Sequence, residues 1–218
     1  MSFGTIELVE VGPRDGLQNE PDIISTEVKL DLISRMIGYG ARRLEVASFV
    51  HPARVPQMAD AEAVIAGLPD RKDVSYIGLT LNKRGVLRAL ATKDGGKRGV
   101  DEIGCVIVAT DTFGQKNQGQ TVAEGIAEAS EMIRFAKENG LIAQVTISAA
   151  FGCPFEGDVP PQRIVDIAKA VLEAGPAEIA LDDTIGVGVP AQVTDLYGRL
   201  TEFVPSDVRL RAHFHNTR

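Results

Sequence analysis

The sequence VEVGPRDGLQNEP occupies residues 9–21 and joins an apolar, β-prone run to a cluster of polar side chains. The run from Ile6 to Val11 ends in Gly-Pro, and Arg14, Asp15 and two amides follow at once. A guanidinium, a carboxylate and two amides together are more than a simple turn requires. We therefore predict that a strand ends here and carries part of a functional site at its carboxyl end.

Outward from this stretch, short β-branched runs alternate with longer helical stretches. We predict strands at residues 5–11, 43–49, 74–81, 102–109, 142–149, 178–182 and 208–215, and helices at 27–39, 60–67, 83–92, 121–139, 161–174 and 191–203. Thr121 precedes Glu124 by three residues, which is the spacing of a capping box, and Pro190 suits the start of the last helix. Such alternation, at about thirty residues per unit, predicts parallel strands joined by helical crossovers.

Two architectures fit this alternation, an open doubly wound sheet and a (β/α)8 TIM barrel. A dinucleotide-binding sheet favours G-x-G-x-x-G after its first strand, whereas residues 12–16 read GPRDG. Polar residues follow nearly every predicted strand, and in a barrel these ends share the rim where active sites form; they are Arg14, Asp15, Ser48, Asn82, Asp111, Ser148, Asp183, His213 and His215. We therefore predict an α/β chain with one TIM-barrel catalytic domain over residues 1–218. With seven strands and six helices it would lack strand eight and the final helices, so that it is either a fragment or has its open edge covered by a partner chain.

The composition argues against several classes of protein, namely those that bind nucleic acid, those that bind membranes and those held together by disulfides. The 218 residues carry a net charge of −7, which argues against nucleic acid or an anionic membrane surface as the main partner. Cys105 and Cys153 form neither a disulfide framework nor a zinc spacing. No signal peptide and no apolar run of membrane-spanning length is visible, so we expect a cytoplasmic protein with no membrane partner.

His213 and His215 are two of only three histidines and lie two apart in a predicted strand, so both imidazoles face the same side. Two imidazoles and a carboxylate are an ordinary ligand set for Mn, Zn or Fe, and with waters they serve harder ions. Asp15 is the natural third ligand, because strands one and seven flank the single missing strand. The alternatives are hydrogen bonds inside the barrel for the histidines and an Asx-turn for Asp15.

Carboxylates inside strands complete the candidate site. Glu45 is costly in a strand unless it is paired, and Arg14 is its candidate partner. Glu45 is then either a support for the arginine or a direct acid/base group, and we favour support. Of Asp182 and Asp183, adjacent on one strand, only one should face the site. The other would cap a turn or face solvent.

These residues resemble the 3-hydroxy-3-methylglutaryl-CoA lyase family. The resemblance is carried by EVGPRDGLQNE at residues 10–20, SFV at 48–50, VPQMAD at 55–60, GCPFEG at 152–157, DTIGVG at 183–188 and H-x-H at 213–215. It implies a metal-dependent TIM-barrel lyase in which Asp15, His213 and His215 bind Mg²⁺ or Mn²⁺.

The resemblance also implies roles for the other residues. Arg14 would stabilise the enolate of acetyl-CoA, Glu45 would lie in the site, Asp183 would assist proton transfer and His213 is the candidate base. With Arg14, we expect Gln18, Ser48 and Ser148 to bind the substrate. The implied reaction is retro-Claisen cleavage of 3-hydroxy-3-methylglutaryl-CoA to acetoacetate and acetyl-CoA, a step of leucine degradation and ketone-body formation.

Four departures from the family pattern keep alternatives open. The family's asparagine ligand and its glycine-rich cysteine loop have no counterpart in the sequence. Leu81 stands where the family pattern leads us to expect proline, and Pro21 stands where the animal members have lysine. The chain is thus also compatible with a sister lyase acting on another 3-hydroxy-3-alkylglutaryl-CoA or a citramalyl-type thioester. A third possibility is a non-catalytic, truncated remnant or binding subunit. We expect an acyl-CoA partner and a homo-oligomer, with a dimer favoured.

Overall fold

A computed structural model describes residues 5–216 and contains the predicted alternation of strands and helices. The strands are β1 (Arg43–Ser48), β2 (Ser75–Thr80), β3 (Glu102–Val108), β4 (Ile142–Ser148), β5 (Glu178–Asp183) and β6 (Arg209–Phe214). The helices are α1 (Thr26–Gly38), α2 (Ala61–Gly67), α3 (Lys83–Ala91), α4 (Asp111–Asn117), α5 (Val122–Glu138), α6 (Pro161–Leu172) and α7 (Pro190–Thr201). These bounds lie within two residues of six predicted strands and all six predicted helices.

The prediction of a strand at residues 5–11 is wrong. Only Glu10 pairs, in an isolated parallel bridge with Leu44. Its amide donates to Arg43 O at 2.9 Å, and its carbonyl accepts from Glu45 N at 2.8 Å. Ile6 and Leu8 are 83% and 82% exposed, so the apolar alternation of this segment does not reflect a buried strand. Helix α4 and a short helical turn at Gly12–Gly16 were not predicted.

The described residues divide into two compact units, and the first, here the amino-terminal unit, comprises residues 5–80 and 84–103. In it β1 and β2 pair in parallel, with a register shift between Glu45 and Ala47. All six residues of β1 are buried, as expected for a parallel strand covered on both faces. Helix α1 buries Ile33 and Ile37, which are four residues apart and therefore share one helix face.

The carboxy-terminal unit comprises residues 81–83 and 104–216. Its strands follow the order β3-β4-β5-β6, where β3 contributes residues 104–108, and β5 pairs in parallel with both β4 and β6. Helix α5 begins with the predicted capping box, in which the Thr121 hydroxyl accepts the Glu124 amide and the Glu124 carboxylate accepts the Thr121 amide. Ala129, Met132 and Ile133 form its buried stripe.

Among residues 5–216, no helix combines the length and the apolar character that crossing a membrane requires.

Candidate functional site

The turn at Gly12–Gly16 places the polar motif directly after the Glu10 bridge. The Glu10 carboxylate accepts the Gly12 amide at 2.7 Å and so pins the start of the turn. A Cβ on residue 12 would lie 2.9 Å from Glu10 Oε1 and 3.2 Å from Met36 Cε, so glycine permits this close approach. The motif thus leaves the bridge in a fixed direction.

Arg14 lies between two carboxylates of the amino-terminal unit. Its Nε contacts Glu45 Oε1, and its Nη1 is 2.9 Å from Asp15 Oδ1. Glu45 is only 3% exposed in the middle of β1, where an unpaired carboxylate is costly. The predicted pairing of Arg14 with Glu45 is confirmed. Because carboxylates hold it on two sides, the guanidinium is fixed in one orientation.

Two predicted substrate-binding residues of this unit carry buried oxygen atoms without protein partners. Ser48 ends β1 and is fully buried, and its Oγ has no hydrogen-bond partner among the described residues. The same holds for Gln18 Oε1. Since buried polar atoms nearly always find a partner, these two oxygens are suited to hydrogen bonds with water or a ligand.

His213 lies in β6, and His215 follows its end. Their ring centroids are 4.6 Å apart, which agrees with the expectation that side chains two apart share one face of a strand. His215 Nδ1 lies 3.1 Å from the Asp183 carbonyl oxygen and 3.6 Å from Asp182 Oδ1. In the ladder Asp182 is the register partner of His213, so these two side chains share the same face of the sheet.

Asp183 uses its carboxylate to organise the turn after β5. Its Oδ1 accepts the Val187 amide and its Oδ2 accepts the Gly188 amide, each at 2.9 Å. A Cβ on residue 188 would lie 3.0 Å from Asp183 Oδ2, so glycine allows the turn to close around the carboxylate. Asp183 is 3% exposed, and its predicted part in proton transfer stays a prediction.

A polar contact that the sequence did not predict links β4 to β5. The Thr184 hydroxyl donates to Asp182 Oδ2 at 2.7 Å and accepts the Ala149 amide at 2.8 Å. Ser148, the preceding residue and a predicted substrate-binding residue, is buried with its Oγ 3.5 Å from Ile107 O. A hydroxyl residue two positions after a carboxylate was the only sequence signal for this contact.

The motif at residues 152–157 forms a small closed loop. Cys153 and Gly157 exchange two backbone hydrogen bonds at 2.8 and 3.0 Å. Cys153 Sγ lies 3.0 Å from Thr110 Oγ1 and accepts the Phe155 amide at 3.4 Å, and the residue is 4% exposed. The Thr112 amide donates to the Glu156 carboxylate and lowers the pKa of that group below its usual range. Cys153 is therefore a packed residue that anchors the loop.

The donor chemistry fits a divalent metal. Within the carboxy-terminal unit His213 and His215 carry imidazole nitrogens, and within the amino-terminal unit Asp15 carries a carboxylate. Imidazole suits Mn, Zn and Fe, while carboxylate and water suit Mg and Mn.

Comparisons with known proteins agree with the resemblance seen in the residues. The HMGL-like family profile matches residues 5–218. The chain is 37% identical to (R)-citramalyl-CoA lyase of Chloroflexus aurantiacus, over 98% of this chain and 68% of that protein. It is also 37% identical to the cytoplasmic 3-hydroxy-3-methylglutaryl-CoA lyase of Danio rerio, over 97% of this chain and 61% of that protein.

A solved structure extends the agreement to three dimensions. The HMG-CoA lyase of Bacillus subtilis superposes with a TM-score of 0.91 at 35% identity, covering 100% of this chain and 71% of that one. The predicted resemblance and the TIM-barrel fold class are confirmed. The chain spans about two thirds of the length of these relatives.

Proposed function

This chain belongs to the HMGL-like family, and from that premise we propose that it acts as a metal-dependent carbon–carbon lyase on 3-hydroxy-3-methylglutaryl-CoA. The products are acetoacetate and acetyl-CoA. The proposal draws on relatives that carry this name and on the chemistry of the residues described above. A homodimer and a cytoplasmic location stay predictions.

The observation that carries the proposal is the fixed orientation of Arg14 between Glu45 and Asp15. Cleavage of the carbon–carbon bond leaves a thioester enolate whose oxygen gains negative charge. A guanidinium already held in place stabilises such charge without reorganising during the reaction. Glu45 is then the support that holds Arg14, which agrees with its burial in β1.

We assign the metal to Asp15, His213 and His215. When bound, Mg²⁺ or Mn²⁺ would act as a Lewis acid toward the tertiary hydroxyl and a carboxylate oxygen of the substrate. His213 carries two assignments, as metal ligand and as candidate base, and it can take the hydroxyl proton only with a ring nitrogen whose lone pair is not bound to the metal. Asp183 assists proton transfer to the enolate carbon. The Ser48 and Gln18 oxygens, which lack partners among the described residues, and the Ser148 hydroxyl are assigned to polar groups of the substrate.

The second candidate function is a sister lyase acting on a citramalyl-type thioester. It is favoured because the Chloroflexus citramalyl-CoA lyase and the Danio lyase are equally similar to this chain, each at 37% identity. The two substrates share a tertiary hydroxyl, a carboxylate and a CoA thioester, and they differ by one methylene. One methylene is worth about 1–3 kcal/mol in a pocket, so an assay should show a preference of about 10- to 200-fold.

The test of the reaction is cleavage of both thioesters, side by side, with Mn²⁺ or Mg²⁺. Arg14→Gln should lower the turnover by about 10²-fold or more, because it removes a donor to the enolate. The matched control is Arg35→Gln on the exposed face of α1, where the arginine pairs with Asp31. Equal activity of the two variants would contradict the role of Arg14. Cleavage of neither thioester would reject both lyase functions.

The test of the metal site is calorimetry with Mn²⁺. Asp15→Ala and His215→Ala should each abolish binding, whereas His51→Ala, at the third histidine, should leave it unchanged. Binding that is indifferent to both changes would refute the assignment. Metal binding without thioester cleavage would support the third possibility, a non-catalytic binding chain.

A further inference from the structure

Asp182 joins three segments of the carboxy-terminal unit. It is 8% exposed in β5, and its main-chain oxygen accepts the Ala150 amide at 3.0 Å. One carboxylate oxygen, Oδ2, accepts the Thr184 hydroxyl at 2.7 Å. The other, Oδ1, lies 3.6 Å from His215 Nδ1. The side chain therefore lies between the end of β4 and the histidine that follows β6.

The backbone at the end of β4 is strained where Thr184 holds it. Ala149 has φ +56°, and among residues 5–216 it is the one non-glycine residue with positive φ. Such a conformation is costly for a residue that has a Cβ, and it persists only where its surroundings impose it. Here the Ala149 amide donates to Thr184 Oγ1 at 2.8 Å, and Asp182 orients that hydroxyl by accepting its hydrogen bond.

The position of His215 determines which of its nitrogens carries the proton and which carries the lone pair. A carbonyl oxygen only accepts hydrogen bonds, so the 3.1 Å contact with Asp183 O requires the proton to be on Nδ1. The negative Oδ1 of Asp182, close to the same nitrogen, favours this tautomer further. The lone pair is then on Nε2, since the hydrogen bond of one ring nitrogen fixes the state of the other.

We propose that Asp182 is a positioning residue that orients His215 so that Nε2 is its metal ligand atom. The inference rests on the proposed metal-dependent function and names the ligand atom together with the group that sets it. Asp182 has no direct contact with the metal or the substrate in this scheme. It acts by orienting His215, and its hydrogen bond with Thr184 connects it to the end of β4.

The first experiment is nitrogen NMR of the metal-free chain with ¹⁵N-labelled histidine. It is recorded about two units above the ordinary histidine pKa of about 6.5, so that the rings are neutral. Wild-type His215 should be in the Nδ1-protonated tautomer. Asp182→Asn, which keeps the size but removes the charge, should raise the Nε2-protonated fraction, while Asp195→Asn on the exposed surface of α7 should not.

The second experiment is Mn²⁺ calorimetry on the same proteins. Loss of a group that orients a metal-binding histidine lowers metal affinity about 10- to 100-fold, and we expect this range for Asp182→Asn. Circular dichroism establishes that the variants are folded. If Asp182→Asn does not fold, Thr184→Val and Thr184→Ser form a second pair. Only the valine variant loses the hydroxyl, so only it should weaken Mn²⁺ binding.

The outcomes separate this inference from the proposed function. An Nε2-protonated His215 in the wild-type chain, or unchanged Mn²⁺ affinity in folded Asp182→Asn, would overturn the role of Asp182. Failure of the wild-type chain to bind Mn²⁺ would reject the proposed metal site. In that case the tautomer of His215 in the metal-free chain still tests whether Asp182 orients the ring.

Discussion

Replacing Arg43 with methionine tests how far the amino-terminal unit depends on a fully buried ion pair. Arg43 and Glu102 each have side chains only 3% exposed. Arg43 Nε donates to Glu102 Oε1 at 2.9 Å and Nη2 donates to Oε2 at 2.6 Å, while the Ser75 hydroxyl also donates to Oε1 at 2.6 Å. Without the guanidinium, Glu102 would keep the Ser75 hydroxyl but lose its buried counter-charge.

The expected destabilisation follows from this geometry. Removing one partner of a buried pair costs about 3–5 kcal/mol, because the remaining charge is left uncompensated. The double variant Arg43→Met/Glu102→Leu removes both charges and should recover most of that loss. It should retain a cost of about 1 kcal/mol or more, because the Ser75 hydroxyl loses its acceptor.

Urea unfolding followed by circular dichroism measures both effects, and a double-mutant cycle extracts the coupling. The control is Arg35→Met, which removes an exposed arginine paired with an exposed Asp31. This change should lower the free energy of unfolding by about 0.5 kcal/mol. A loss of stability in Arg43→Met no larger than that of this control would contradict the importance of the buried pair. Destabilisation of the double variant by the sum of its single changes would contradict it as well.

Three further changes test a buried ammonium, a helix cap and a solvent-screened ion pair. Lys29 is 2% exposed, and its ammonium donates to Asp60 at 2.5 Å. Lys29→Met should lower the free energy of unfolding by about 1–3 kcal/mol, and an unchanged midpoint of thermal unfolding would contradict this. Thr121→Ala removes the cap of α5 and should cost about 1 kcal/mol in urea, whereas a cost near zero would mean that the cap does not stabilise this helix. The Arg88 guanidinium lowers the pKa of Glu62 below its ordinary 4.5, so this pair stabilises the folded state above that pH and its contribution is lost as pH falls below it. Glu62→Gln should therefore lose less stability than the wild type between about pH 6 and pH 3. The difference between the two losses should be below about 1 kcal/mol, because solvent screens the pair. Equal losses would argue against the effect.

The order of strands and helices could be predicted because the hydrophobic periodicity of each element agrees with its caps and turns. Thr121 and Pro190 marked helix starts that the structure contains. The pairing of Glu45 with Arg14 could also be predicted, because a carboxylate in a buried strand requires a cation. Each of these features follows from the chemical character of single residues, which a sequence records directly.

The failures depend on neighbours that a sequence does not show. Residues 5–11 alternate like a strand, but hydrogen-bonding partners reach only Glu10. Helix α4 is seven residues long with Gly114 inside it, and that glycine packs against the Gln120 carbonyl, where a Cβ would approach to 2.5 Å. The link from Asp182 to Ala149 requires knowledge of which strands are adjacent.

Because both cysteines of the carboxy-terminal unit are buried, the rate at which a reagent modifies their thiols reports how often this unit opens. Cys105 in β3 is fully inaccessible, and Cys153 is anchored by Thr110 and the Phe155 amide. A thiol reagent in solution should modify either sulfur only during a transient excursion that exposes it, so labelling rates report the frequency of those excursions. Cys153, in a loop, should react during small local excursions. Cys105, inside the sheet, should react only when the strands separate. The ratio of the two labelling rates would therefore compare the rigidity of the loop at residues 152–157 with that of the sheet.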